Sequence, residues 1–129
     1  MSVNLSAYNQ YNQYKQNSVY TASPEELTLM LYNGLIKFIM QAQAAIEEKN
    51  LEKANDSIIR AEDIINEFKA TLNMQYSVSK GLLMLYDYMI NRLFEANIKK
   101  DTAILAEVLE FAKELRDTWS QAMKLAKKQ

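Results

Sequence analysis

The sequence predicts an all-α protein that folds as an antiparallel up-down four-helix bundle. Only two of its 129 residues are glycine and one is proline, which leaves little turn chemistry for a sheet and favours long helices. Four segments carry apolar residues at the three- and four-residue spacing of a buried helix face. The links between these segments are short, so that consecutive helices must lie side by side. We expect a flexible arm over residues 1–22 and one helical-bundle domain over residues 23–129.

The predicted arm differs from the rest of the chain in composition. It carries four tyrosines, at positions 8, 11, 14 and 20, among Asn, Gln and Ser and has little charge. Such a composition favours a flexible or partly helical segment with exposed aromatic rings. Because Tyr14, Val19 and Tyr20 lie just before the first helix, the arm could fold back onto apolar surface of the bundle. Whether it would block a binding site or clamp a ligand there is left open.

The first helix is predicted over residues 24–48. Ser23 is a preferred N-cap, Pro24 fits the first helical turn, and Glu26 follows the serine as in a capping box. Apolar side chains then form two stripes: Leu27, Met30, Leu31, Leu35, Phe38, Ala42 and Ile46 in the first, and Leu29, Tyr32, Ile36, Ile39 and Met40 in the second. A single core needs only one stripe, so the second indicates either a central helix or a surface for another chain or the arm. In the latter case we expect Ile36→Asp to weaken partner binding without unfolding the bundle.

Capping residues and apolar helix faces predict the other three helices. The second is predicted over residues 51–74 after Asn50, the third over 79–97 with Ser77 or Ser79 at its start and Asn97 as a C-terminal cap, and the fourth over 102–119 after Asp101. Beyond 119 we expect either a continuation towards 126 or a short extra helix. The motif Leu-Met-Leu-Tyr-Asn at 29–33 returns as Leu-Met-Leu-Tyr-Asp at 83–87, which indicates two related helical hairpins.

Several function classes lack their usual residues. The chain has no cysteine and no histidine, which removes thiolate nucleophiles, disulfides, the commonest metal ligand and the usual general base. A net charge of -1 without a basic block argues against nucleic-acid binding, and no apolar stretch is long enough for membrane insertion. The acidic residues of the first two helices fall largely off the apolar seams. We therefore predict a cytoplasmic, non-catalytic binding module without a cofactor or a metal.

A few single residues suggest more specific roles. Arg60 and Arg92 carry guanidinium groups that could fix a carboxylate or a carbonyl of a partner, although a pair between surface helices is the simpler interpretation of each. Gly34 lies inside the first helix, which favours a close approach by a neighbouring helix or by a bound peptide. Seven methionines and eight tyrosines suit an ordinary core as well as an adaptable peptide groove.

The chain also resembles a known family, the flagellin-specific export chaperones (FliS). The residues that carry the resemblance run from Tyr14 to Trp119: the segment 14–27 with Leu31 and Tyr32; Asn55, Ile58, Arg60, Ala61, 63–65 and Leu72; Leu82, 85–89, Arg92, Leu93, Ala96 and Asn97; and Glu107, Val108, 114–116 and Trp119. Asn33 departs from the pattern, because the family more often has an acidic residue there.

The resemblance implies a function. Such chaperones bind the disordered C-terminal segment of flagellin in the cytoplasm, prevent its premature polymerisation and help deliver it to the flagellar type III export apparatus. Export-gate components and an antisigma factor are further candidate partners. The residues that we predict to bind partners are Tyr14, Asn17, Val19, Tyr20, Leu29, Tyr32, Asn33, Ile36, Arg60, Tyr86 and Arg92. The alternative is a non-catalytic helical adaptor that binds an amphipathic helix of a regulatory protein.

Overall fold

The computed structural model describes residues 21–127, and four helices joined by short links make up almost all of this part of the chain. Helix α1 spans Pro24–Glu47, α2 spans Leu51–Thr71, α3 spans Ser77–Lys99 and α4 spans Thr102–Lys127. Each helix packs against the next, and α4 closes the ring by packing against α1. The predicted four-helix bundle is confirmed. Helix α4 continues unbroken to Lys127, so the described residues contain no separate C-terminal helix.

Three of the four helices begin at the predicted caps. The Ser23 hydroxyl accepts from the Glu26 N–H at 3.2 Å, Asn50 Oδ1 accepts from the Lys53 N–H at 3.2 Å, and Asp101 Oδ1 accepts from the Ala103 N–H at 2.8 Å. Helix α3 is the exception, because its N-cap is Tyr76, which makes no capping bond. Of the two serines expected at its start, Ser77 is the first helical residue, and Ser79 donates its hydroxyl to the Asn73 carbonyl. It thereby fastens the α2–α3 link to the helix.

Two side-chain pairs fix α2 against α3. Asn97 Nδ2 donates to Asn55 Oδ1 at 2.8 Å near one end of the pair, and Lys69 Nζ lies 2.5 Å from Asp87 Oδ1 towards the other. The expectation that Asn97 caps α3 is wrong, because the helix continues to Lys99 and Lys100 takes the left-handed conformation that ends it. The asparagine sets the register of two helices instead.

The core lies along the bundle axis and is built almost entirely from apolar side chains. Its buried residues on α1 are Tyr32, Leu35, Ile36, Ile39, Ala42 and Ala45; on α2 Ala54, Ile58, Ala61, Ile65 and Phe68; on α3 Tyr86, Met89, Leu93 and Ala96; and on α4 Ile104, Leu105, Val108, Leu109 and Ala112. The α1 residues come from both predicted stripes, because α1 packs against α2 on one side and α4 on the other. The expectation that Ile36 lies on a free stripe is wrong, since its side chain is only 7% exposed.

The two glycines both lie inside helices but in different surroundings. A Cβ added at Gly34 would meet Ile64 Cδ1 of α2 at 3.4 Å, which is the close approach by a neighbouring helix that the sequence suggested. A Cβ added at Gly81 would meet nothing within 4 Å.

We therefore expect Gly81→Ala to stabilise the bundle. Alanine restricts the unfolded chain and favours the helix, so the free energy of unfolding should rise by roughly 0.5–1 kcal/mol. Urea denaturation followed by circular dichroism measures the change. Gly34→Ala is the matched control, because the new methyl group would press on Ile64 and offset part of the same gain. A loss of stability in Gly81→Ala would contradict the open surroundings of this position.

Candidate functional site

An apolar groove opens at the end of the bundle where α1 begins, α2 and α3 are linked, and α4 nears its end. We call it the end groove; its volume is about 330 Å³, and its lining residues are Thr28, Tyr32, Phe68, Thr71, Leu72, Asn73, Tyr76, Val78, Ser79, Leu82, Tyr86 and Trp119. No charged side chain is among them. Tyr76 and Val78, on its rim, are 66% and 65% exposed. A concave, uncharged surface with an exposed apolar rim suits an apolar segment of another chain.

Three aromatic rings that line the end groove pack in a row, with Phe68 in the middle. The Tyr32 and Phe68 ring centroids lie 4.5 Å apart, and those of Phe68 and Tyr86 lie 5.7 Å apart. The Tyr32 and Tyr86 hydroxyls meet across the bundle at 3.1 Å. Burial raises the pKa of both phenols, so they remain protonated. These tyrosines are the equivalent residues of the two repeated motifs, and their meeting places the motifs at one depth in α1 and α3.

A second depression, the α1–α4 cleft, lies beside the end groove. It is lined by Leu29 and by residues of the last two turns of α4, among them Ser120, Met123 and Lys127. Trp119 lines the end groove, and its Nε1–H donates to the Glu25 carbonyl at 3.0 Å, which fastens α4 to the first turn of α1. Adjacent residues of α1, Thr28 and Leu29, and of α4, Trp119 and Ser120, line the groove and the cleft, so the two depressions are neighbours.

The structure separates the other predicted binding residues. Asn33 is exposed on α1 away from the lining of the end groove. Arg60 is exposed on α2, where its guanidinium lies 5.7 Å from the centre of the Phe38 ring on α1, a cation–π contact between surface helices. Four residues, Tyr14, Asn17, Val19 and Tyr20, lie outside the described part of the chain, as does most of the predicted arm.

Arg92 belongs to an ion-pair network between α3 and α4. Its Nε lies 2.8 Å from Glu107 Oε1 and its Nη1 lies 2.6 Å from Glu95 Oε2. The hydrogen bond from Arg92 holds the pKa of the Glu107 carboxyl below its usual value, and the Lys99 ammonium does the same for Glu95. Carboxyls with lowered pKa values stabilise the fold above their ordinary pKa and lose that effect as the pH falls. The guanidinium thus already has two partners within the chain.

Sequence reasoning missed most of the end groove. It found Tyr32 and Tyr86 but not Phe68, Leu72, Tyr76, Val78 or Leu82 as residues of a site. The second helix was expected to continue to residue 74, whereas it ends at Thr71 and residues 72–76 form the link. That early end opens the groove. The signal available in the sequence was the cluster of Asn73, Ser77 and Ser79, which marks a break between helices.

Other kinds of site find no support between residues 21 and 127. This part of the chain holds no group of histidine, cysteine or acidic side chains that could bind a metal ion. None of its helices is long and apolar enough to cross a membrane.

The fold and the groove define a class, that of helical-bundle proteins with an uncharged, largely apolar surface groove. Comparison with known proteins identifies the family within that class. The model of the family described as "Flagellar protein FliS" matches residues 7–126. This chain belongs to the FliS family of flagellar secretion chaperones, as its sequence resemblance indicated.

Individual relatives agree with this assignment. The chain is 48% identical over 124 residues to the flagellar secretion chaperone FliS of Bacillus subtilis (strain 168), which covers 96% of this chain and 93% of the relative. It is 32% identical over 123 residues to the protein of the same name in Vibrio cholerae, covering 94% and 89%. A solved structure titled "Crystal structure of flagellar chaperone from bacteria" matches with a TM-score of 0.73 at 18% identity, over 92% of this chain and 98% of that one. At that identity the structure supports the shared fold.

Proposed function

We propose that this chain binds the disordered C-terminal segment of flagellin in the cytoplasm, prevents its premature polymerisation and assists its delivery to the flagellar type III export apparatus. Membership of the secretion-chaperone family supports the export role. The observation that carries the client-binding part is the end groove, whose lining is uncharged and whose rim residues Tyr76 and Val78 are largely exposed. A disordered client can fill such a surface with successive apolar side chains as it becomes ordered.

The client would lie along the end groove and the α1–α4 cleft, which adjacent residues of α1 and α4 line. Three of the residues predicted from the sequence line these depressions: Leu29 in the cleft, and Tyr32 and Tyr86 in the groove. The arm residues predicted to bind would compete for this surface within the same chain. Export-gate components and an antisigma factor would then use surfaces that the client leaves free.

The proposal predicts that the protein delays assembly of flagellin filaments. A client segment held on the chaperone cannot pair with other flagellin subunits, so equimolar chaperone should lengthen the lag phase measured by light scattering. The assay uses purified monomers of the flagellin encoded by the same genome. The control is the chaperone variant Met84→Asp, whose substitution lies outside both depressions, so it should delay assembly as the wild type does. Unchanged kinetics at a saturating chaperone concentration would argue against the antipolymerisation role and favour the adaptor alternative.

A further inference from the structure

Tyr32 and Tyr86, two residues that line the end groove, form a hydroxyl pair with one hydrogen more than it uses. Tyr32 and Tyr86 each carry one O–H, and a single hydrogen bond joins their oxygens at 3.1 Å. Whichever tyrosine donates in that bond, the other retains its hydrogen. Neither hydroxyl has another hydrogen-bond partner among residues 21–127. The pair therefore keeps one donor for which residues 21–127 supply no acceptor.

This donor lies in surroundings where it needs an acceptor. Tyr32 and Tyr86 are only 6% and 3% exposed, yet both line the end groove. In the free protein water in the groove can accept the hydrogen bond. A bound apolar segment would displace that water, and a buried donor left without a partner would weaken binding.

The surroundings also select the kind of acceptor. The groove lining contains no charged side chain, so a client carboxylate placed there would lose its hydration without gaining a cation. The buried phenols stay neutral because burial raises the pKa of each. A neutral carbonyl oxygen accepts a phenolic hydrogen without either penalty.

We infer that the Tyr32–Tyr86 hydroxyl pair is a specificity-determining contact of the end groove, which donates one hydrogen bond to an amide carbonyl of the bound segment. The inference rests on the proposed function for the identity of the client. The carbonyl belongs either to the client backbone where it is not helical or to an Asn or Gln side chain. The two kinds of carbonyl accept a hydrogen bond in the same way, and alanine substitutions in the peptide distinguish them.

The test uses Tyr32→Phe, Tyr86→Phe and the double variant, each titrated by calorimetry with a recombinant peptide of the C-terminal segment of the cognate flagellin. Each single variant keeps one hydroxyl whose hydrogen is free, so at least one of them should bind like the wild type. The double variant should bind roughly tenfold more weakly, which corresponds to about 1.4 kcal/mol. Tyr88→Phe is the matched control, because its hydroxyl contacts Glu107 on the α3–α4 face, away from the groove; its affinity should not change.

Stability measurements keep this result interpretable. Phenylalanine retains the stacked rings, and removing both hydroxyls leaves no unpaired polar group, so the double variant should be at least as resistant to urea as the better single variant. Substituting each Asn and Gln of the peptide with Ala then identifies the acceptor. A substitution that weakens binding to the wild type but not to the double variant assigns the carbonyl to that side chain, and the absence of any such substitution assigns it to the backbone.

Two outcomes would overturn the inference, and they have different consequences for the proposed function. Wild-type affinity in the double variant would refute the hydroxyl contact while leaving the client assignment intact. Failure of the wild-type protein to bind the peptide would refute the proposed function and, with it, this contact.

Discussion

Ile36→Asp should unfold the bundle. The side chain of Ile36 is 7% exposed and packs within the core cluster that joins all four helices. An aspartate there would bury a carboxylate among apolar groups, at a cost of several kcal/mol. This is a large fraction of the ~5–15 kcal/mol by which such domains are stable. Far-UV circular dichroism and urea denaturation should show loss of the cooperative transition.

Met40→Asp provides the control on the same helix. Met40 lies one turn beyond Ile36 and is 52% exposed, so an aspartate there stays hydrated and should cost little. A folded Ile36→Asp protein that had lost only peptide binding would contradict the structure. It would support the expectation, drawn from the sequence, that this residue lies on a free stripe for a partner.

Val78→Asp should abolish or strongly weaken client binding without unfolding the protein. Val78 is 65% exposed on the rim of the end groove, so the free protein tolerates a charge there. Its position in the first turn of α3 also favours an acidic residue, because the helix dipole is positive at that end. In the complex the carboxylate would lose water against an apolar client, which should lower the affinity by about 10- to 100-fold.

The matched control is Met84→Asp on another face of the same helix. Met84 is 66% exposed and does not line the end groove. Calorimetric titration of both variants with the flagellin peptide makes the comparison, and circular dichroism checks the fold. Equal losses of affinity in the two variants would place the client on the outer face of α3 instead of in the groove.

The sequence was sufficient to predict the fold because the features that predict helices, such as N-caps, depend on residues close together in the chain. Ser23, Asn50 and Asp101 cap helices where predicted, since an N-cap depends on a few adjacent residues. The two copies of the repeated pentapeptide motif contribute Tyr32 and Tyr86, whose hydroxyls lie 3.1 Å apart. Their hydrogen bond across the bundle, however, depends on how α1 and α3 face each other, which the spacing within each helix does not determine.

The site was harder to predict because it depends on contacts between helices. Periodicity showed two apolar stripes on α1 but could not show that two neighbouring helices bury residues of both, as happens at Ile36. It also could not show that α2 ends at Thr71 and leaves the end groove open. Arg92 was predicted to bind a partner, with a pair between surface helices as the simpler interpretation, and its guanidinium bonds Glu107 of α4 as that pair requires.

The indole N–H of Trp119 tests the central claim most directly. The chain has one tryptophan, so this group gives a single resolved resonance in a ¹H–¹⁵N spectrum. Trp119 lines the end groove and donates to the carbonyl of Glu25 in the first turn of α1. Titration with the C-terminal flagellin peptide should shift this resonance until one equivalent has been added, together with the amides of residues 72–82. Peptide binding detected by calorimetry that left the indole resonance and those amides unmoved would contradict a client site in the end groove.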